Sequence, residues 1–220
     1  MRRWNGWGDE ATRLDLSASA GGYLEELVGA SSPLADVSLE SVIATVPPSR
    51  LPEHPQIVRT EEDRVRHARG QSLPDWLAMR GGHFEVFPDG VAYPETSDDV
   101  ARLLAFSKTH DIEVIPYGGG TSVAGHINPN RSDRAILTID LGRMNRLLDL
   151  DTDSLVATFG AGTPGPQVEA QLQARGFTLG HFPQSFELST IGGWVASRSS
   201  GQQSLRYGRI EQMFAGGRIE

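Results

Sequence analysis

Hydrophobic and polar positions divide the chain into a front part with helical spacing and a later part in which short apolar runs alternate with helices. In the front part, helices are predicted over residues 22–28 and 39–45. Prolines from Pro47 to Pro55 then interrupt regular structure. This pattern predicts a helical preface and linker over residues 1–55.

A second group of helices is predicted before the first strand. Thr60 begins one that continues to about Arg69, with acidic residues favourably placed at its N-terminus. Ser72 begins another as its N-cap. Residues 56–90 are therefore predicted to form a helical lead-in.

Strands and helices alternate from residue 91 onward. Ser97 is predicted to cap the first helix, whose apolar face carries Val100, Leu103 and Leu104. This order indicates an α+β domain over residues 91–220. The predicted strands cover residues 91–93, 112–115, 135–140, 155–159 and 177–179, and the predicted helices cover residues 97–110 and 167–174.

A glycine-rich loop directly follows the strand predicted at 112–115. Its three glycines lack Cβ atoms, so the backbone can turn sharply and approach a ligand. Successive N–H groups can then converge on an anion, and Thr121 and Ser122 add hydroxyl donors. A second stretch, residues 182–195, adds another glycine pair flanked by hydroxyls. A flexible turn would explain the first loop alone, but two such loops indicate a dinucleotide held at both ends.

A third glycine-rich segment, residues 160–165, formally matches the G-x-G-x-x-G fingerprint of a dinucleotide-binding Rossmann unit. Pro164 and Pro166 remove N–H donors where a pyrophosphate would need them. The acidic residue that follows, Glu187, lies well past the next predicted strand. We therefore interpret this segment as a strand–turn–helix packing element.

Composition narrows the classes of function. A net charge of −8 argues against a nucleic-acid partner, since phosphate binding needs a basic face. The absence of cysteine excludes disulfides, thiolate metal sites and a cysteinyl flavin link, and it fits a cytoplasmic protein. No run approaches the roughly 20 apolar residues of a membrane span. The histidines form no pair or cluster with metal-ligand spacing, so no metal site is predicted.

Several motifs together resemble one flavoprotein family. They include residues 3–8 (RWNGWG), 116–123 (PYGGGTSV), 185–195 (SFELSTIGGWV) and 207–211 (YGRIE). They resemble the vanillyl-alcohol oxidase and p-cresol methylhydroxylase superfamily, and within it the alkylglycerone-phosphate synthase family. That resemblance implies the FAD-binding domain of this superfamily and FAD as the cofactor.

The resemblance also implies residue roles. The FAD should be non-covalent, because Thr121 stands where related covalent flavoenzymes carry the linking His. Family members exchange the acyl group of acyl-dihydroxyacetone phosphate for a fatty alcohol. The residues implied around the pyrophosphate are Pro116, Tyr117, Gly118, Gly119, Gly120, Thr121 and Ser122, and those along the rest of the FAD are Gln184, Ser185, Phe186, Glu187, Leu188, Ser189, Thr190, Ser197, Arg198, Ser199 and Ser200.

Family members are much longer than this chain, so we expect a fragment whose FAD domain is incomplete at its C-terminus. The catalytic residues are expected beyond Glu220, and the 220 residues are expected to be inactive alone. An unpaired sheet edge is expected near residues 211–214.

Other functions stay open at this stage. An FAD-linked 2-hydroxy-acid dehydrogenase of the D-lactate or glycolate type shares the glycine loop and the Thr190-Ile-Gly-Gly193 element. A truncated product without catalysis is a third alternative. The expected partner is a small lipid or hydroxy-acid substrate, with no transmembrane segment. Peripheral membrane contact and a homodimer stay open for the whole protein.

Overall fold

The computed structural model describes residues 2–12, 15–30 and 35–220, so parts of the predicted preface lie outside the described residues. No helix in these ranges is long and apolar enough to cross a membrane. The helices are α1 (Ala18–Val28), α2 (Leu39–Ile43), α3 (Glu61–Arg66), α4 (Leu73–Gly81), α5 (Ser97–Thr109), α6 (Gly165–Gln173), α7 (Ile191–Ser197), α8 (Ser204–Tyr207) and α9 (Ile210–Met213). The strands are β1 (Ile57–Val58), β2 (Gly90–Ala92), β3 (Glu113–Tyr117), β4 (Ile136–Asp140), β5 (Leu147–Asp151) and β6 (Val156–Phe159).

Hydroxyl side chains set the starts of several helices. Helix α3 starts after Thr60 as predicted, with the Thr60 hydroxyl as its cap, and Ser72 caps α4 as predicted. The predicted cap of α5 was wrong by one residue: Thr96 is the cap, because its hydroxyl accepts from the Asp99 N–H while the Asp99 carboxylate accepts from the Thr96 N–H. Helix α3 ends at Arg66 rather than near Arg69.

The main sheet has the order β1-β2-β4-β3. Strands β2, β4 and β3 run parallel, and β1 pairs antiparallel with β2. Helix α5 is the crossover between β2 and β3, as a parallel pair requires. The carboxyl ends of β2, β3 and β4 therefore meet at one edge of the sheet.

The core of this sheet includes residues from well before residue 91. Leu51 and Ile57 pack with Ala92 and Leu103 in one cluster. The strand β1 was missed in the sequence because it is only two residues long. The segments predicted as linker and lead-in thus supply one edge and part of the core of the sheet.

A second layer lies behind the parallel sheet's carboxyl edge. The hairpin β5–β6 packs with α6, α7 and α9 around Val168, Leu172, Trp194 and Ile210. Strand β5 was not predicted, because its outward positions are exposed and carry Asp149 and Asp151.

Two predicted extended segments were wrong. Residues 177–179 form no strand, because the N–H of Leu179 bonds to the carboxylate of Glu169 instead of a neighbouring strand. The sheet edge expected near residues 211–214 is not there: helix α9 occupies that position, and Ile210 buries its side chain in the second layer.

One buried carboxylate joins the front of the chain to the sheet. The side chain of Asp89, just before β2, is 4% exposed. It accepts hydrogen bonds from the Ile136 N–H at 2.8 Å, the Arg50 N–H at 3.0 Å and the Arg50 guanidinium at 2.7 Å. Burial alone would raise the pKa of Asp89, but these hydrogen bonds and the Arg50 charge hold it below its usual value.

Asp89→Ala should lower the free energy of unfolding by roughly 2–4 kcal/mol, because it leaves the Ile136 N–H buried without a partner. The wild-type contribution should be present above about pH 4 and fade as the pH falls through the lowered pKa. Urea unfolding at several pH values measures both. Asp153→Ala, at an exposed position, is the matched control. Equal losses for both variants would contradict the assignment.

Candidate cofactor-binding site

The glycine loop lies at the carboxyl edge of the parallel sheet. Strand β3 ends at Tyr117, and residues 118–122 follow it without an intervening element. Strands β2 and β4 end beside it. In open α/β sheets, ligands bind outside the carboxyl ends of the parallel strands. The loop that the sequence singled out therefore sits where this architecture places ligands.

The backbone donors of this loop are free. Within the described residues, no N–H group from Gly118 to Ser122 donates to another part of the protein. Gly120 has φ of +64°, a left-handed conformation that glycine adopts without strain. Consecutive free N–H groups around such a turn form a concave surface suited to an anion.

The loop touches the second glycine-rich stretch through its backbone. A Cβ on Gly119 would lie 1.8 Å from the Leu188 carbonyl oxygen, and one on Gly118 would lie 2.2 Å from Thr190 Oγ1. Only glycine permits this approach at either position. The structure thus brings together the two stretches that the sequence indicated as parts of one site.

Tyr117 supports the loop from below. Its side chain is buried, and its hydroxyl lies beneath Gly120, where a Cβ would come within 2.0 Å of it. Burial raises the pKa of the Tyr117 phenol. Its role is packing against the turn, whereas Pro116 is exposed on β3.

Residues of the second stretch differ in what they can offer a ligand. Gln184 and Glu187 are exposed, while the Phe186 ring packs against Gly165 and the indole of Trp194. Ser189 Oγ accepts a hydrogen bond from Trp194 Nε1 at 2.7 Å. Ser185 holds the turn, since its carbonyl accepts from the Ser189 N–H at 2.8 Å.

Thr190 differs from the other residues of this stretch. It is 4% exposed, and its hydroxyl is buried without a hydrogen-bond partner. A buried unpaired hydroxyl costs free energy unless a ligand or water completes it. Because Thr190 Oγ1 lies beside Gly118, a partner that completes its hydrogen bonding would lie next to the glycine loop.

The third predicted group, residues 197–200, lies at the far end of α7. Ser197 Oγ donates to the Gly193 carbonyl at 2.8 Å, and Ser199 Oγ lies 2.8 Å from His181 Nε2. Arg198 is exposed and faces Glu211 at 3.6 Å, and Ser200 is exposed. Within the described residues, no hydrogen bond joins this group to the glycine loop.

The sequence did not indicate the residues that hold the C-terminal end of the glycine loop by hydrogen bonds. The Gln71 N–H donates to the Ser122 carbonyl at 2.7 Å. The Gly70 N–H donates to Asn128 Oδ1 at 2.9 Å, and Asn128 Nδ2 donates to Asp75 Oδ1 at 2.7 Å. The capping box of α4 at Ser72 was visible in the sequence, but its link to residue 128 was not.

The segment that matches the Rossmann fingerprint has no free glycine donors. The N–H groups of Gly160 and Gly162 donate to the carbonyls of Arg146 and Met144. A Cβ on Gly162 would lie 1.7 Å from the Leu141 carbonyl oxygen, although φ is not positive there. The turn also accepts the N–H groups that begin α7. It is a packing element, as interpreted from its prolines.

A separate cavity of about 570 Å³ lies between the N-terminal segment and helices α2 and α3. Its charged side chains contact one another: Arg66 bonds Glu62 at 2.9 Å and lies 3.8 Å from Glu10. Arg3 donates to the Thr12 carbonyl. None of the described residues that line this cavity belongs to the two glycine stretches.

The donor set at the loops fits a dinucleotide pyrophosphate. It combines free N–H groups, close approach that only glycine allows, and an unpartnered buried hydroxyl. Such a set matches the charge and the many acceptor oxygens of the two phosphates.

Comparison with known proteins agrees with this chemistry. Residues 88–219 match the family described as FAD binding domain. Alkyldihydroxyacetonephosphate synthase from Trypanosoma brucei brucei is 32% identical over 99% of this chain and 41% of its own length. The enzyme of that name from Dictyostelium discoideum is 41% identical over 68% of this chain and 24% of its own length.

A solved structure of an alkyldihydroxyacetonephosphate synthase superposes with a TM-score of 0.84 at 31% identity, covering 96% of this chain and 46% of that chain. The chain therefore spans less than half the length of these relatives. The matched domain covers the parallel sheet, the glycine loop and the second stretch. The chain belongs to the FAD binding domain family, with alkyldihydroxyacetonephosphate synthases among its homologues, and FAD is its cofactor.

Proposed function

We propose that the glycine loop holds the FAD pyrophosphate through its free backbone N–H groups, with Thr121 and Ser122 as further donors. Residues 184–190 and 197–200 line the rest of the cofactor. One observation supports this proposal above all: the backbone N–H groups without partners lie in the same loop whose Gly119 contacts the backbone of Leu188. Anion binding would satisfy the donors at no cost to the fold, because none of them holds the loop in place.

The FAD is held without a covalent link. By the family resemblance, Thr121 stands where covalent relatives carry the linking His, and the chain has no cysteine. Binding then depends on the non-covalent contacts of the glycine loop and of the residues that line the rest of the cofactor.

Acid precipitation of the purified yellow holoprotein should leave the flavin in the supernatant, because only non-covalent contacts hold it. Visible absorbance of the supernatant and the washed pellet measures the partition. A known covalent flavoprotein treated in parallel is the control. Flavin that stays with the pellet would overturn the non-covalent assignment.

Thr190→Val should weaken FAD binding about tenfold, since it removes one hydrogen bond of roughly 1–1.5 kcal/mol to the cofactor and none within the protein. Thr138→Val is the matched control, because Thr138 Oγ1 is also buried and unpartnered but lies in the middle of β4. Flavin fluorescence quenching measures both affinities. Equal affinities for the two variants would contradict a contact between Thr190 and FAD.

For the whole protein we propose the exchange of the acyl group of acyl-dihydroxyacetone phosphate for a fatty alcohol. The bond between the dihydroxyacetone carbon and the ester oxygen breaks, and the fatty acid leaves as its carboxylate. The alcohol oxygen forms the ether bond to that carbon, and its proton passes to solvent. The bound flavin supplies an electron-accepting ring system. The described residues bind and orient it, and the buried second layer under Ser189 and Thr190 excludes water from that side. The absence of cysteine supports a cytoplasmic setting.

Full-length holoprotein should convert acyl-dihydroxyacetone phosphate and an isotope-labelled fatty alcohol into a labelled ether lipid precursor and free fatty acid. The reaction has no net redox change, so an electron-acceptor dye should stay oxidised. Mass spectrometry follows the products. Dye reduction with D-lactate or glycolate, together with no labelled ether, would replace this proposal with the 2-hydroxy-acid dehydrogenase alternative.

A further inference from the structure

His181 stands at the start of the second stretch and is 1% exposed. Its Nε2 lies 2.8 Å from Ser199 Oγ, and its Nδ1 is buried without a hydrogen-bond partner. Its ring meets the indole of Trp194 edge-on, with centroids 5.0 Å apart. This histidine therefore contacts the middle of helix α7 and the segment that follows its C-terminus.

The contacts continue from His181 to the site. Trp194 Nε1 donates to Ser189 Oγ at 2.7 Å, so the sequence of contacts runs from Ser199 through His181 and Trp194 to Ser189. The backbone reinforces the connection, since the Gln202 N–H donates to the Phe182 carbonyl at 2.9 Å. His181 thus joins the two segments, residues 184–190 and 197–200, that are proposed to line FAD.

The surroundings of the imidazole favour its neutral form. Burial lowers the pKa of His181, and no charged group offsets that effect. The ionisable side chains on neighbouring elements have contacts of their own: Glu169 of α6 accepts the N–H groups of Leu179 and Gly180, and Arg198 faces Glu211. A proton added at Nδ1 would be a buried donor without an acceptor.

We propose that neutral His181 is a positioning residue for the cofactor, which fixes the second stretch against Ser199 so that both segments face one FAD. This inference rests on the proposed FAD site. Protonation at Nδ1 would put an uncompensated charge against Trp194 and leave a buried N–H donor without an acceptor. The folded state disfavours the proton, so stability should fall as the pH drops below the ordinary histidine pKa of about 6.5. FAD affinity should fall at lower pH, as the pH passes through the lowered pKa of His181 in the folded protein.

The test uses three variants of the full chain. His181→Gln keeps a donor for Ser199 but cannot take up a proton, His181→Leu fills similar space without a hydrogen bond, and Ser199→Ala removes the partner. His110→Gln, at an exposed histidine, is the control. FAD dissociation constants and tryptophan fluorescence are measured between about pH 8 and about pH 5.

Wild type and His110→Gln should lose FAD affinity about tenfold across this range, with a parallel fluorescence change from Trp194 as the adjacent imidazole becomes charged. His181→Gln should bind within about threefold of wild type at the upper pH and show no such transition in either signal. His181→Leu and Ser199→Ala should each bind about tenfold more weakly at the upper pH.

Affinity equal to wild type in both His181→Leu and Ser199→Ala would overturn the positioning role. So would a pH transition that persists in His181→Gln. If wild type itself fails to bind FAD at every pH, the proposed site fails and this role with it. That result is distinct, because the fluorescence transition still reports whether His181 takes up the proton.

Discussion

The close backbone contact between Gly119 and Leu188 is the constraint on which the rest of the site depends. It leaves no room for any side chain at residue 119, so the sequence there must be glycine. The contact also requires that β3 and its surroundings hold the glycine loop in place on one side. On the other side, the second stretch must be held in place by its own packing. The buried Tyr117 and the Gly70–Asn128 contact meet the first requirement. The packing of Gly192 against Ala161 meets the second.

The three glycine-rich segments show why a motif alone does not identify an anion site. The glycine N–H groups of residues 160–165 all donate to backbone carbonyls, at Arg146, Met144 and Ser189, and the segment accepts the first N–H groups of α7. Their glycines serve close packing of backbone on backbone. Residues 118–122 are also close-packed, but their N–H groups have no partner within the described chain. Whether the N–H donors are already used distinguishes the packing turn from the candidate binding loop, and only the three-dimensional structure reveals that.

The sequence predicted what short-range chemistry determines. The helix start at Thr60 followed from the acidic residues after it, the start at Ser72 followed from a hydroxyl cap, and the glycine loop followed from local composition after an apolar run. The cap of α5 was wrong by one residue, and two further features were missed because they depend on partners elsewhere in the chain. Residues 177–179 have the pattern of a strand, but Glu169 takes the N–H of Leu179 that a strand would need. The hydrogen bond from the Gly70 N–H to Asn128 Oδ1 joins segments far apart in the chain, and no sequence motif at either residue indicates it.

A buried polar atom without a hydrogen-bond partner indicates a ligand site only when its surroundings also suit a ligand. Thr138 and Thr190 both carry a buried hydroxyl without a partner. In the centre of β4, the unpaired hydroxyl of Thr138 lowers the stability of the fold only slightly, and burial of the surrounding apolar core outweighs that loss. Beside Gly118 the same group adjoins a row of free N–H donors on an edge where parallel strands end. The free N–H groups and the unpartnered hydroxyl both lack hydrogen-bond acceptors at the same place. One acceptor-rich molecule best explains both, since a single pyrophosphate-bearing cofactor would satisfy them.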